Sequence, residues 1–102
     1  MKTLGTHNYF VYFLTNKMKT VLYVGITNDL KSRLYWHQNQ DPNSDHFTSR
    51  YNCFFLIYYE LYWDVEQAIA REKQIKKYSR IKKENLINDF NPEWNFLNNE
   101  IE

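Results

Sequence analysis

Cysteine is nearly absent from this chain of 102 residues. Cys53 stands alone, so no disulfide framework can form, which fits a reducing compartment and a cytoplasmic protein. Glycine and proline number two each, which excludes collagen-like, mucin-like and low-complexity classes. No apolar run approaches the roughly 18 residues that a membrane-spanning helix needs, so no membrane partner is expected. The opening MKTLGTHNYF has a lysine but no apolar core and no cleavage site, so it does not read as a secretory signal. What the chain has instead is 43% hydrophobic and 19% aromatic residues, enough to offset chain entropy and fold. The length leaves room for one domain, residues 1–102, with a core over about 8–90 and a tail over 91–102.

A net charge of +1 conceals an uneven distribution. Seven basic residues (Arg71, Lys73, Lys76, Lys77, Arg80, Lys82 and Lys83) fall within thirteen positions, opposed only by Glu72. Lys17, Lys19, Lys31 and Arg33 form a second basic segment, while the chain from Glu84 onward is acidic. Such asymmetry points to a polyanion-binding face; the competing reading is a solvated lysine-rich helix.

Residues 9–14 (YFVYFL) and 20–26 (TVLYVGI), joined by a polar turn, predict an antiparallel hairpin. Thr27, Asn28 and Asp29 offer N-cap chemistry for a helix over 30–38, with Leu30, Leu34 and His37 on one face. Residues 40–52, which include Pro42, read as a polar loop. Residues 53–62 (CFFLIYYELY) are the most apolar stretch and predict a central strand covered on both faces. Asp64 would cap a helix reaching Tyr78, its apolar stripe made of Val65, Ala68, Ile69 and Ile75. A third helix is expected over 82–89, with Leu86 and Phe90 turned inward, broken by Asn91-Pro92. Trp94 and Leu97 would anchor a docked tail. The predicted order is β-β-α-β-α-α, a small α/β (α+β) domain.

Three features resist a purely structural account. Glu72 falls on or beside the apolar stripe, where a carboxylate is costly unless paired or metal-bound. Its alternative is an i,i+4 ion pair with Lys76. Arg33 and His37, also i and i+4, can present two donors to one anion, or form a surface pair beside the core. Tyr12 and Tyr23 lie on adjacent strands, with Gly25 two residues on, where a strand glycine commonly marks close approach. Paired tyrosines in a small sheet are also ordinary core aromatics.

Taken in order, Phe10-Val11-Tyr12, Tyr23-Val24-Gly25, Arg33, His37 and a helical Glu72 resemble the GIY-YIG nuclease family. The stretches LYVGITNDLKSRLYWH (22–37), HFTSRYNC (46–53), AIAREKQIKK (68–77) and NPEW (91–94) are similar to its small stand-alone bacterial branch. Arg33 follows Tyr23 at the spacing seen in the nuclease domain of the excision-repair incision subunit. The resemblance implies a three-stranded antiparallel sheet flanked by helices and divalent-metal-dependent cleavage of nucleic acid, DNA first. It assigns Glu72 as the ligand of Mg²⁺ or Mn²⁺, since Mg²⁺ keeps most of its waters and takes one or two carboxylates. It implies Arg33 on the non-bridging oxygens, Tyr23 as general base, Tyr12 orienting water or phosphate, and His37 contacting phosphate or assisting proton transfer. Lys31, Lys73, Lys76, Lys77 and Arg80 would contact the nucleic acid, the last four from one rim of the site. Two departures stand out: Phe10 replaces the family's first glycine, and Ile26 stands where the repair branch carries a lysine. Asn85 and Asn91 are both candidates for a late asparagine used by some members. The alternative function is a non-catalytic nucleic-acid-binding module that keeps the fold. A third class, a protein-interaction domain, would use exposed aromatics and the acidic tail.

Overall fold

The computed structural model describes residues 8–40 and 46–101. The elements follow the predicted order, with one addition. They are β1 (Tyr9–Thr15), β2 (Leu22–Thr27), α1 (Leu30–Gln38), α2 (Phe47–Arg50), β3 (Phe55–Tyr62), α3 (Val65–Lys76) and α4 (Arg80–Phe90), then a 3₁₀ turn at Asn98–Glu100. The strands form one antiparallel three-stranded sheet in the order β2-β1-β3. The fold is α+β, with helices on both faces of the sheet.

Strand alternation divides the interior into two cores. One face carries Val11, Phe13, Val24 and Tyr58 against Ala68 and Ile75 of α3 and Ile87 of α4. The other carries Tyr12, Leu14 and Leu56 against Leu30 and Leu34 of α1, with Cys53 and Leu97. Ile26 joins the first core, so the departure from lysine there completes the packing under α3 and α4.

Four expectations need correction. The most apolar strand, β3, is an edge strand, and β1 is the central one. The hairpin leaves one free edge on each of its strands, and β3 pairs antiparallel with that of β1. The apolar content of β3 follows from a cover on its outer edge and from a bulge. Phe13 pairs with Tyr58 and Leu14 with Leu56, so Ile57 is the extra residue and joins Tyr58 in the first core. Secondly, the segment over 40–52 is not all loop: α2 lies within it, while Pro42 falls outside the described residues.

Thirdly, Val65 and Ile69 face solvent at 38% and 40% exposure, and the sheet-facing stripe of α3 runs Ala68, Arg71/Glu72, Ile75. Two charged residues thus sit where the apolar periodicity predicted aliphatic ones. Fourthly, Ile87 is the buried residue of α4, while Phe90 is 47% exposed. Asp29 and Asp64 cap their helices as expected, and Ser79, which the sequence reading did not single out, caps α4 and starts it at Arg80 rather than 82; each accepts from a first-turn N–H.

The tail docks through Leu97, whose N–H donates to Leu56 O at 2.7 Å. Asn98 brackets the same strand, accepting from Leu56 N at 2.9 Å and donating to Phe54 O at 3.0 Å. Asn91 is buried and donates to Ile57 O at 3.0 Å. Of the two late asparagines, Asn91 therefore holds the tail to β3, and Asn85 is exposed on α4.

Candidate active site

The hairpin register sets the first part of the site. Tyr12 lies opposite Gly25, and Tyr23 is two residues before Gly25, so all three share the α1 face of the sheet. The two phenol rings lie 6.4 Å apart, centroid to centroid. A Cβ on Gly25 would stand 2.5 Å from the Tyr12 hydroxyl oxygen and 3.0 Å from the Tyr23 ring. The glycine is thus required by space: the Tyr12 side chain lies across it.

Helix α1 supplies the second part. Asp29 anchors its start, accepting from Ser32 N at 3.1 Å and Ser32 Oγ at 2.8 Å. Leu30 and Leu34 press the helix onto the sheet, which carries His37 inward and leaves Arg33 exposed. Arg33 projects at a cleft of about 460 Å³ lined by Thr27, Asn28, Asp29, Ser32 and Trp36. His37 is 1% exposed and its Nε2 lies 3.1 Å from the Tyr12 hydroxyl. Its Nδ1 meets Thr48 Oγ1 at 3.0 Å and Gln40 Nε2 at 3.3 Å. Gln40 also donates to Thr48 Oγ1 at 2.8 Å. Two tautomers serve these contacts: Nε2–H donates to Tyr12 while Nδ1 accepts from Thr48, or Tyr12 donates to Nε2 while Nδ1–H donates to Thr48. In the first, the Tyr12 proton points into the site.

Burial dominates the electrostatics. It pushes the Tyr12 hydroxyl well above the usual phenol range, aided by Tyr23 and Glu72 and opposed by Arg33. Tyr12 is therefore a neutral hydroxyl at any ordinary pH. Burial likewise lowers His37 to about 4, with Arg33 and then His46 adding repulsion. The enclosed imidazole is hydrogen-bonded to Tyr12 on one side and to Thr48 on the other.

Helix α3 supplies the third part. Glu72 is sheltered, its side chain 13% exposed, and its carboxylate accepts from Lys76 Nζ at 2.8 Å. The i,i+4 pair weighed as the alternative for Glu72 is therefore formed. Glu72 also acts on the Tyr12 hydroxyl, and Tyr23 acts on Lys76, so the helix and the hairpin share one electrostatic neighbourhood. Among the described residues, no group of three or more His, Cys, Asp or Glu is placed to hold a metal. A single sheltered carboxylate nonetheless suits Mg²⁺, which retains water as most of its shell.

The structure thus brings Tyr12, Tyr23 and His37 into contact and puts Arg33 and Glu72 within electrostatic reach of Tyr12. The expected basic rim is only partly available. Lys31, Lys73 and Lys77 are exposed, and Lys76 is held by Glu72. Arg80 is committed to Glu84 at 2.8 Å and to Thr20 O at 2.9 Å, tying α4 to the hairpin turn. Arg71 turns toward β3 to pair with Glu60. Sequence reasoning missed Thr48 and Gln40, which hold His37; the signal available was the polar character of the segment around them. It also missed Trp36 and Phe47, which border the tyrosines and Arg33.

The family profile described as the GIY-YIG catalytic domain matches residues 8–85. Among solved structures, the chain is similar to the solution structure of the UPF0213 protein BH0048 from Bacillus halodurans. The likeness has a TM-score of 0.50 and 28% identity, over 78% of this chain and 82% of that one. No curated protein matches the chain.

Proposed function

This chain belongs to the GIY-YIG family, and from that premise we propose that it hydrolyses phosphodiester bonds of nucleic acid, DNA foremost, with a divalent cation held by Glu72. The observation that carries this reading is the convergence on Tyr12. Its buried hydroxyl lies 3.1 Å from His37 Nε2 and its ring stands 6.4 Å from that of Tyr23, while Arg33 on α1 and Glu72 on α3 act on it electrostatically in opposite directions. Arg33, permanently charged and exposed at the cleft, suits the non-bridging oxygens of a phosphate, which it can grip bidentately. Tyr12, fixed by His37, directs a neutral O–H toward the phosphate or the attacking water. Tyr23 stands beside it as the group to take the proton of that water. The cation, Mg²⁺ or Mn²⁺, supplies Lewis-acid stabilisation of charge growing on the phosphoryl oxygens and makes water a better nucleophile. Glu72 would hold it in exchange for Lys76. The exposed lysines Lys31, Lys73 and Lys77 contribute phosphate contacts without base readout.

One observation favours the second reading, a binding module without catalysis: the Lys76 ammonium already neutralises Glu72. A single experiment separates the two. Purified protein with Mg²⁺ or Mn²⁺ is offered single-stranded, duplex, flap and junction substrates, beside Glu72→Gln. Hydrolysis predicts cleavage that a chelator abolishes and that Glu72→Gln lowers by about a hundredfold or more. Full residual cleavage by Glu72→Gln would overturn the assignment. Binding without cleavage by either protein would favour the module.

A further inference from the structure

We propose that the surface of α1 and α2 beside Arg33 is a stacking shelf for unpaired bases, so that the strand entering this site is single-stranded or locally opened. The proposal rests on the reading that Arg33 takes a phosphate. Trp36, Phe47 and Tyr51 are 43–44% exposed, although rings of this size are the groups a small domain gains most from burying. They are not scattered. The Arg33 guanidinium lies 5.4 Å from the Trp36 ring, and Trp36 meets His46 at 5.3 Å. Phe47 stacks on Tyr23 at 5.9 Å and 29°, and meets Tyr51 at 4.7 Å. Arg50 covers Tyr51 at 5.7 Å. An aromatic path therefore starts at the general-base candidate, Tyr23, and ends under an arginine, while Trp36 and Arg33 line the same cleft.

Charge selects the occupant. Residues 30–40 and 46–52 contain Lys31, Arg33 and Arg50 and no Asp or Glu; Asp41 and Asp45 fall between them in sequence, and Asp29 at the cleft has both carboxylate oxygens engaged by Ser32. Cations interleaved with aromatic faces match a chain of alternating phosphates and bases, and every base has a π face, so stacking needs no particular sequence. A duplex keeps those faces inside its own stack. Only an unpaired strand can use the shelf, and the phosphate beside a stacked base would then fall to Arg33.

The test is binding in the presence of a chelator, by fluorescence anisotropy, to three probes of equal length. These are a mixed-sequence DNA single strand, its duplex, and an abasic strand with the same phosphates. The single strand is expected to bind tightest. Trp36→Ala and Tyr51→Ala should each weaken it about 5- to 100-fold and leave the abasic strand unchanged, while Trp36→Phe restores most of the affinity. Tryptophan emission should be quenched by the single strand and not by the abasic one. A duplex or abasic strand bound as tightly as the single strand would overturn the shelf, as would alanine variants of unchanged affinity. A matching cleavage assay keeps the two readings apart. Metal-dependent cutting of duplex without single-strand preference removes the shelf and leaves hydrolysis standing. Shelf-dependent binding with no cleavage of any probe does the reverse.

Discussion

Glu60 on β3 and Glu72 on α3 are sheltered to a similar degree, with side chains 16% and 13% exposed, yet they are paired in opposite ways. Glu60 accepts from Arg71 Nε at 2.9 Å and Arg71 Nη2 at 3.0 Å, from Tyr62 at 2.7 Å, and from the Tyr58 hydroxyl. Burial alone would raise its carboxyl; the bonds from Arg71, Tyr58 and Tyr62 outweigh burial and hold it below the usual range. Its lone pairs are saturated, and it locks α3 to the sheet. Glu72 has one lysine partner, itself 57% exposed, and acts electrostatically on the Tyr12 hydroxyl. A carboxylate satisfied on all sides has nothing left for a ligand. One held by a single solvated ammonium can exchange that partner for another cation at small cost. Shelter alone therefore does not mark a functional acid; the number and kind of its partners do.

Exchanging the two substitutions breaks or sharpens this contrast most strongly. Glu72→Gln should reduce metal-dependent cleavage by about a hundredfold or more, and shift stability by no more than about 0.5 kcal/mol, the worth of a solvated i,i+4 pair. Glu60→Gln should do the opposite. It strands a guanidinium and costs about 2–3 kcal/mol, a fall in thermal midpoint on the order of 10 °C, with cleavage below that midpoint unchanged. Thermal melts and cleavage rates on both variants read the crossover. Loss of activity in Glu60→Gln at full folding would erase the distinction.

His37 provides the next largest effect. Its folded value of about 4 lies below the unfolded 6.5, so between those limits the unfolded chain binds more protons than the folded one. Stability should therefore rise with pH across this window and be lost as pH falls from 6.5 towards 4, by roughly 3 kcal/mol at most. Chemical denaturation at a series of pH values should show this slope, and His37→Gln should flatten it. Gly25→Ala should cost about 1–3 kcal/mol from overpacking against the Tyr12 hydroxyl. Because that clash lands on the site, its cleavage rate should fall further than its melting point implies.

Much of the fold was legible because hairpin, caps and element order are written in local chemistry. The bounds of α1 matched, and the caps at Asp29 and Asp64 were visible as side chains able to accept N–H bonds. Strand order was not, since the apolar content of β3 reflects a bulge and a tail whose contacts span more than forty residues. The juxtaposition of Tyr12 and Tyr23 could be read from the hairpin, and Glu72 from the conflict between charge and periodicity. The opposite fates of Arg71 and Glu72 could not: adjacent in sequence and equally off-pattern, they are separated by which strand each reaches. His37 was rightly placed on the inward face with Leu30 and Leu34, but its partners were hidden, because Thr48 and Gln40 act on it from different segments.

The docking of Asn91, Leu97 and Asn98 on β3 bears on where the folding unit stops. Asn98 accepts one backbone N–H and donates to one carbonyl, as a fourth strand would at that point. The family-matched span closes at residue 85, short of Ile87 and of all three of these residues. A fragment trimmed to that span would expose the polar edge over 54–57 beside an unfilled core. Bare edges of this kind recruit other chains. Residues 91–98 thus seal one edge of the sheet, that of β3, over the stretch where its backbone would otherwise be bare.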